Sequence, residues 1–121
     1  MAKKIFIVDD NELMIEVMTY ILTSNGYDVV SYNDWHNIFN DIRSTHPDLV
    51  ILDALFPGMS DLDICKLIKL NRNTSNIPVI ICSGGDDIDS SLSQKGAPND
   101  VLHKPFDANN LLEKVEYLLA A

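Results

Sequence analysis

The stretch that most constrains the fold is residues 48–53, DLVILD, in which four consecutive aliphatic residues end at Asp53. A run of this kind, without polar alternation, is typical of a parallel strand buried on both faces. Residues 54–59 then form a Pro-Gly turn, so Asp53 should face the crevice outside the strand ends, where open α/β sheets place their ligands. Because a carboxylate that ends a buried strand is costly unless it is paired or metal-bound, Asp53 is the first candidate functional residue.

Four more short apolar segments alternate with helical patterns along the chain. Strands are predicted at 3–8, 27–32, 48–53, 77–82 and 100–103, and helices at 12–24, 34–45, 60–71, 87–95 and 108–119. Five strands alternating with five helices predict a parallel sheet covered on both sides, with right-handed crossovers. Since the chain has 121 residues and no internal repeat or linker, we expect one domain over residues 1–121.

Apolar spacing predicts which side of each helix packs on the sheet. The expected inward residues are Leu13, Val17 and Ile21 in the first helix, Leu62, Cys65, Leu67 and Ile68 in the third, and Leu111, Leu112, Val115, Leu118 and Leu119 in the last. The serine-rich helix at 87–95 should be the least stable. Cys65 and Cys82 lie in apolar surroundings, which predicts buried thiols without a disulfide.

Charge and hydropathy exclude several classes of function. The formal net charge is -9 and the nine Lys and Arg residues are scattered, which argues against direct binding of nucleic acid. No apolar run approaches the 18 residues or so of a membrane span, and no signal peptide opens the chain. We therefore expect a cytoplasmic protein that does not bind membranes.

Polar residues stand at the ends of four predicted strands. Because parallel strands all point the same way, the residues that follow strands one, three, four and five should meet at one edge. These residues are Asp9, Asp10, Asp53, Ser83 and Lys104. Three neighbouring carboxylates repel one another unless a cation neutralises them, and a site of oxygen ligands without soft ligands favours Mg²⁺.

A hydroxyl and an ammonium beside this acidic cluster suit a phosphoryl group. Ser83, Lys104 and the backbone N–H groups at Gly84-Gly85 could surround its oxygens, with Asp53 as the nucleophile. Each residue taken alone has a simpler explanation. Asp9-Asp10 could cap the first helix, Ser83 could cap the fourth, and Lys104 could be a solvated surface residue.

Taken together, the motifs identify a resemblance that covers essentially the whole chain. They are Val8-Asp9-Asp10-Asn11, Asp53 followed by Pro57-Gly58-Met59, Ser83-Gly84, and Lys104-Pro105-Phe106, each after the appropriate strand. With them the chain resembles the receiver domain of two-component response regulators. The resemblance implies a flavodoxin-like (βα)5 sandwich with strand order 2-1-3-4-5.

The resemblance also implies a role for each site residue. The carboxylates of Asp9, Asp10 and Asp53 and the backbone carbonyl of Leu55 would bind Mg²⁺. Asp53 would accept a phosphoryl group from a histidine kinase or a histidine phosphotransfer protein. Ser83, Lys104 and the backbone of Gly84 would contact that group, and the Lys104-Pro105 bond is a candidate for the cis form.

The implied function is a phosphorylation switch. Phosphorylation would change the surface near the predicted helix at 87–95, the fifth strand and the last helix, and hence the binding of a downstream protein target. The chain would catalyse only its own phosphoryl transfer and dephosphorylation. Two other classes remain open, namely a phosphate-independent interaction module and a Mg²⁺-dependent phosphohydrolase.

The chain departs from the family pattern at several positions. Val101 stands where the family usually has Tyr or Phe, so we expect coupling to run through the helix at 87–95 instead of through a swinging ring. Leu55 and Gly85 have no polar side chain with which to orient a water molecule, which predicts slow self-dephosphorylation. His36, His46 and His103 are expected to be ordinary surface residues, with His103 on the same side of its strand as Val101.

Overall fold

The computed structural model describes residues 2–9, 11–33, 38–53, 61–83, 98–103 and 106–120; of Asp53, residues 61–64 and Ser83 it describes the backbone. The strands are β1 (Lys4–Val8), β2 (Asp28–Tyr32), β3 (Leu49–Asp53), β4 (Val79–Ser83) and β5 (Asp100–His103). The helices, numbered in chain order, are α1 (Glu12–Thr23), α2 (Ile38–Thr45), α3 (Asp61–Leu70) and α4 (Ala108–Leu119). The helix predicted at 87–95 lies outside the described residues.

The five strands form one parallel sheet in the order β2-β1-β3-β4-β5. This confirms the predicted flavodoxin-like fold and strand order. The central strand β3 is paired on both edges, and Leu49, Val50, Ile51 and Leu52 are at most 1% exposed. The continuous aliphatic run is therefore explained by burial on both faces.

Alternate residues of the strands feed two cores, one on each face of the sheet. On one face, Phe6, Val50 and Leu52 pack with residues of α2 and α3. On the other face, Ile5, Leu49 and Ile51 pack with residues of α1 and α4. Cys65 and Cys82 are free, buried thiols that lie in different cores. This confirms the prediction of buried thiols without a disulfide.

The predicted inward face of α1 is wrong for Leu13 and Val17, whereas Ile21 is partly buried and packs against the core, as predicted. Leu13 is 69% exposed and Val17 is 44% exposed, whereas Met18 and Leu22 are buried. Apolar residues occupy most of the circumference of this helix, so their spacing alone does not select the face that meets the sheet. Leu13, Val17 and Tyr20, which is 74% exposed, form an outward strip that we call the outer stripe of α1.

The other helices agree better with the predictions. In α4, Leu111 and Val115 are buried and Leu112, Leu118 and Leu119 pack against the same core, as predicted. In α3, Cys65 and Ile68 are buried, but Leu67 is 48% exposed, so its predicted inward position is wrong. The side chain of Leu62 lies outside the described residues. Among the helices that the structure describes, none has the length and apolar character to cross a membrane.

Candidate functional site

The carboxyl ends of the strands bring the backbones of three predicted site residues, Asp9, Asp53 and Ser83, to one edge. Val8 of β1 pairs with Leu52 of β3, so Asp9 and Asp53 are each the next residue on adjacent strands. Neighbouring strands lie about 4.8 Å apart, which sets the scale of the distance between the two backbones. Ser83 ends β4, the strand beside β3.

Asp9 is buried and held in place by its surroundings. It is 1% exposed, its N–H donates to the Tyr32 carbonyl at 3.0 Å, and its Oδ1 accepts from the Asn11 N–H at 2.8 Å. A carboxylate is costly to remove from water unless its charge is compensated. Asp9 therefore supplies a hard oxygen donor at the edge where Asp53 ends its strand.

Asn11, and not Asp9, caps α1. Its Oδ1 accepts from the Met14 N–H at 3.1 Å, which satisfies one of the free donors in the first turn. The alternative in which Asp9 serves merely as the helix cap is wrong.

Several predicted site residues lie outside the described part of the chain. They are Asp10, Leu55, Gly84, Gly85 and Lys104, together with the candidate cis bond Lys104-Pro105 and the side chains of Asp53 and Ser83. Within the described residues, no group of three His, Cys, Asp or Glu side chains could hold a metal ion. Of the three predicted carboxylate ligands, only the side chain of Asp9 is among the described residues. Its buried oxygen fits the hard-ligand chemistry of Mg²⁺.

Sequence reasoning missed the part played by Tyr32 at this edge. Its hydroxyl donates to Asp41 Oδ2 on α2 at 3.1 Å, and its ring lies 5.2 Å from that of Phe6. Burial and the neighbouring Asp41 carboxylate raise the pKa of Tyr32 to about 12, so the phenol remains a donor at neutral pH. No local pattern signals this bond, because it joins residues nine positions apart on different elements.

A small apolar groove adjoins the same edge. It has a volume of about 210 Å³ and is lined by Asn11, Leu13, Met14, Val17 and Phe106. Asn11 is two residues from Asp9, and Leu13 and Val17 belong to the outer stripe of α1. The groove therefore continues from the site onto exposed apolar surface.

Val101 and His103 lie two residues apart on β5 and differ in burial. Val101 is 3% exposed and belongs to the core shared with α2 and α3, whereas His103 is exposed. His46 is also exposed, with its Nε2 lying 3.2 Å from the Asn73 carbonyl. His103 and His46 thus lie at the surface as predicted, while His36 lies outside the described residues.

Comparisons with known proteins agree on one family. The response regulator receiver domain family matches residues 5–116. The DNA-binding response regulator MtrA of Mycobacterium tuberculosis is 29% identical over 116 residues, which are 95% of this chain and 50% of MtrA. The transcriptional regulatory protein PhoP of Bacillus subtilis is 28% identical over 120 residues, 98% of this chain and 49% of PhoP. The chain spans about half the length of these curated relatives.

Solved structures agree over nearly the whole chain. The receiver domain of a signal transduction histidine kinase from Syntrophus aciditrophicus is 29% identical, with a TM-score of 0.88 over 98% of this chain and 91% of that one. A response regulator receiver domain from Clostridium thermocellum is 26% identical, with a TM-score of 0.85 over 98% and 94% of the two chains. The similarity thus extends to receiver domains from two different kinds of signalling protein.

Proposed function

Because this chain belongs to the response regulator receiver domain family, we propose that Asp53 is the phosphoacceptor of a two-component signalling switch. The observation that carries the proposal is the buried carboxylate of Asp9 at the strand end next to Asp53. A carboxylate in that position favours a bound cation, and a cation is what transfer of a phosphoryl group to a second carboxylate requires.

The proposed metal ligands are the carboxylates of Asp9, Asp10 and Asp53 and the backbone carbonyl of Leu55. Bound Mg²⁺ would neutralise this acidic cluster and the oxygens of the incoming phosphoryl group. The hydroxyl of Ser83 and the N–H of Gly84 would donate hydrogen bonds to that group, and the Lys104 ammonium would pair with its charge. These residues position the reactants and supply charge, which is most of what phosphoryl transfer needs.

The transfer step conserves atoms and electrons. A carboxylate oxygen of Asp53 attacks phosphorus as the P–N bond to the donor histidine breaks, and the histidine nitrogen keeps the electron pair. A P–O bond forms in its place. Water later attacks phosphorus, the P–O bond to Asp53 breaks, and inorganic phosphate leaves while Asp53 returns to a carboxylate. Slow attack is expected because Leu55 and Gly85 offer no polar side chain. In this proposal the chain catalyses no reaction on other substrates.

The proposed donor is a histidine kinase or a histidine phosphotransfer protein, docked on the groove and the outer stripe of α1. A protein donor has to cover the site edge in order to reach Asp53. The apolar surface that continues from that edge runs along Leu13 and Val17, which are 69% and 44% exposed. Exposed apolar side chains next to a reaction site suit a partner with a complementary apolar face.

The proposed output is binding of a protein target by a single domain over residues 1–121. MtrA, of which the chain matches half, is named a DNA-binding protein. Because residues 1–121 carry a net charge of -9, we propose that these residues make no direct contact with nucleic acid. No observation favours the phosphate-independent interaction module.

One assay tests the proposal. The protein is incubated with Mg²⁺ and acetyl phosphate, and the intact masses of the wild type and Asp53→Asn are compared. We expect one phosphoryl adduct on the wild type, abolished in the variant and dependent on Mg²⁺. Release of phosphate without an adduct would favour a phosphohydrolase, and absence of any reaction would favour an interaction module. A half-life of seconds for the adduct would contradict slow self-dephosphorylation.

A further inference from the structure

Tyr32 ends an edge strand of the sheet and connects it to two other elements. Within the described residues, β2 pairs with β1 alone, and Asp28, Val30 and Ser31 are exposed. An edge strand with so little burial loses its terminal pairing more readily than a central strand. The last residue of β2 therefore needs anchorage beyond the ladder.

The hydrogen-bond ladder between β1 and β2 ends at Asp9. The Asp9 N–H donates to the Tyr32 carbonyl at 3.0 Å, directly after the pair formed by Val8 and Tyr32. Fraying at the end of β2 would therefore release the backbone of Asp9. The hydrogen bond from the Asn11 N–H to Asp9 Oδ1 would remain, but the backbone of Asp9 would lose its connection to β2.

The side chain of Tyr32 supplies the missing anchorage. Its ring packs on Phe6 of β1 at a centroid distance of 5.2 Å, and its hydroxyl donates to Asp41 Oδ2 at 3.1 Å. Asp41 lies in the first turn of α2, whose Ile38 and Ile42 are buried in the core. The hydroxyl thus ties the end of the edge strand to a helix that is itself fixed by packing.

We propose that Tyr32, held by Asp41, is a positioning residue that keeps Asp9 in the geometry needed to bind Mg²⁺. The inference rests on the proposed function, in which Asp9 is a metal ligand. The hydroxyl contacts neither the metal nor the phosphoryl group; it acts through the backbone carbonyl of Tyr32. Partners outside the first coordination shell commonly tune metal affinity by orienting the ligands.

The chain offers a matched control for this test. Tyr27 precedes the same strand at its other end, is partly buried, and packs against the opposite core. Tyr32→Phe and Tyr27→Phe each remove one phenol hydroxyl, at opposite ends of β2. Asp41→Ala removes the acceptor without touching the tyrosine, and Asp41→Asn retains an acceptor oxygen.

Two quantities are measured in each variant, namely the exchange rate of the Asp9 amide hydrogen without metal and the Kd for Mg²⁺. In Tyr32→Phe and Asp41→Ala we expect exchange to be about threefold to tenfold faster and Kd to rise about twofold to tenfold, as fits the loss of one hydrogen bond. Tyr27→Phe and Asp41→Asn should stay within about twofold of the wild type. Because Asp41→Ala leaves the tyrosine ring in the core, it provides the test if Tyr32→Phe does not fold.

The outcomes separate this inference from the proposed function. If Asp9→Asn weakens Mg²⁺ binding but Tyr32→Phe matches Tyr27→Phe in either quantity, the positioning role is wrong and the metal site stands. If Asp9→Asn leaves the affinity for Mg²⁺ unchanged, the metal assignment fails and the positioning role fails with it.

Discussion

The two ends of the sheet use the same residue type in different ways. At the amino ends of the strands, Asp48 Oδ2 accepts from the Lys4 N–H at 2.8 Å and Asp100 Oδ1 accepts from the Val101 N–H at 2.8 Å. Asn99 Oδ1 likewise accepts from the Val79 N–H at 3.0 Å. At the carboxyl ends, Asp9 is buried beside the strand that ends in Asp53.

The difference follows from the polarity of a parallel sheet. A strand begins with N–H groups that lack a ladder partner, and a carboxylate, which only accepts hydrogen bonds, can satisfy them. A strand ends in carbonyl groups, which are themselves acceptors and cannot pair with a carboxylate. In the proposed function the acidic residues at the carboxyl ends hold a cation, whereas those at the amino ends accept from backbone N–H groups and stabilise the fold.

The largest effect is expected when the charge at the carboxyl end is removed. Asp9→Asn retains an oxygen that accepts from Asn11 but removes a ligand charge, so we expect the Kd for Mg²⁺ to rise about 10-fold to 100-fold. Stability without metal should change little, because Asn is close to Asp in size and keeps the oxygen that accepts from the Asn11 N–H. Calorimetric titration and urea unfolding measure the two quantities. A clear loss of stability with unchanged affinity for Mg²⁺ would mean that Asp9 plays a structural role only.

The opposite result is expected at the amino end. Asp48→Ala leaves the partly buried Lys4 N–H without its acceptor, which should lower the free energy of unfolding by about 1 to 3 kcal/mol. The affinity for Mg²⁺ should not change. Asp28→Ala, an exposed residue at the start of β2, is the control and should change stability by less than about 0.5 kcal/mol. If urea unfolding shows equal effects of the two variants, Asp48 does not stabilise the amino end more than an exposed carboxylate does.

The comparison extends to exposed apolar residues near each end. The double variant Leu13→Gln, Val17→Gln removes apolar area beside the carboxyl end and should slow phosphoryl transfer from a protein donor about tenfold. Transfer from acetyl phosphate should be unchanged, because a small molecule needs no docking surface. Tyr117→Gln is the control, since Tyr117 is 78% exposed and lines a groove with Lys3 and Pro78 near the amino ends. The donor is a purified histidine kinase that phosphorylates the wild type. Equal slowing with both donors would argue against docking at this stripe.

The two tyrosines that bracket β2 should differ in alkaline solution. The pKa of Tyr32 is raised from 10.0 to about 12 by burial and by Asp41, and that of Tyr27 is raised by burial and by Glu116. Above pH 10 the unfolded chain loses the Tyr32 proton while the folded chain retains it. The stabilisation is thus complete below pH 10 and decreases as the pH rises towards 12. Phenolate absorbance follows the titration, and unfolding at each pH gives the stability. The loss of stability above pH 10 should be smaller in Tyr32→Phe than in the wild type.

The smallest effect is expected from the partly buried ion pair at the amino end. Lys114 Nζ lies 3.0 Å from Asp100 Oδ1, and both side chains are 32% exposed. Lys114→Met should therefore lower stability by less than about 1 kcal/mol, and added salt should shrink the difference. Urea unfolding at low and high NaCl concentration tests this. A loss of several kcal/mol that persists in salt would show that Asp100 depends on Lys114 and not on the Val101 N–H.

Sequence reasoning succeeded where a pattern reports burial directly. The aliphatic run of β3 predicted a strand buried on both faces, and the alternation of elements predicted a parallel sheet. It failed on α1, whose predicted inward residues Leu13 and Val17 are exposed. A helix that is apolar around most of its circumference carries no information about which side meets the sheet until its neighbours are in place.

The order of elements and the residues at the strand ends were determined by the sequence itself, because hydrophobic periodicity and turn residues act over short distances. The bond between Tyr32 and Asp41 and the outer stripe of α1 were decided by the tertiary structure. Both depend on contacts between elements whose relative placement is set by packing of the two cores. Local pattern therefore identified the edge at which the site is proposed, and long-range packing identified the contacts that support and surround that edge.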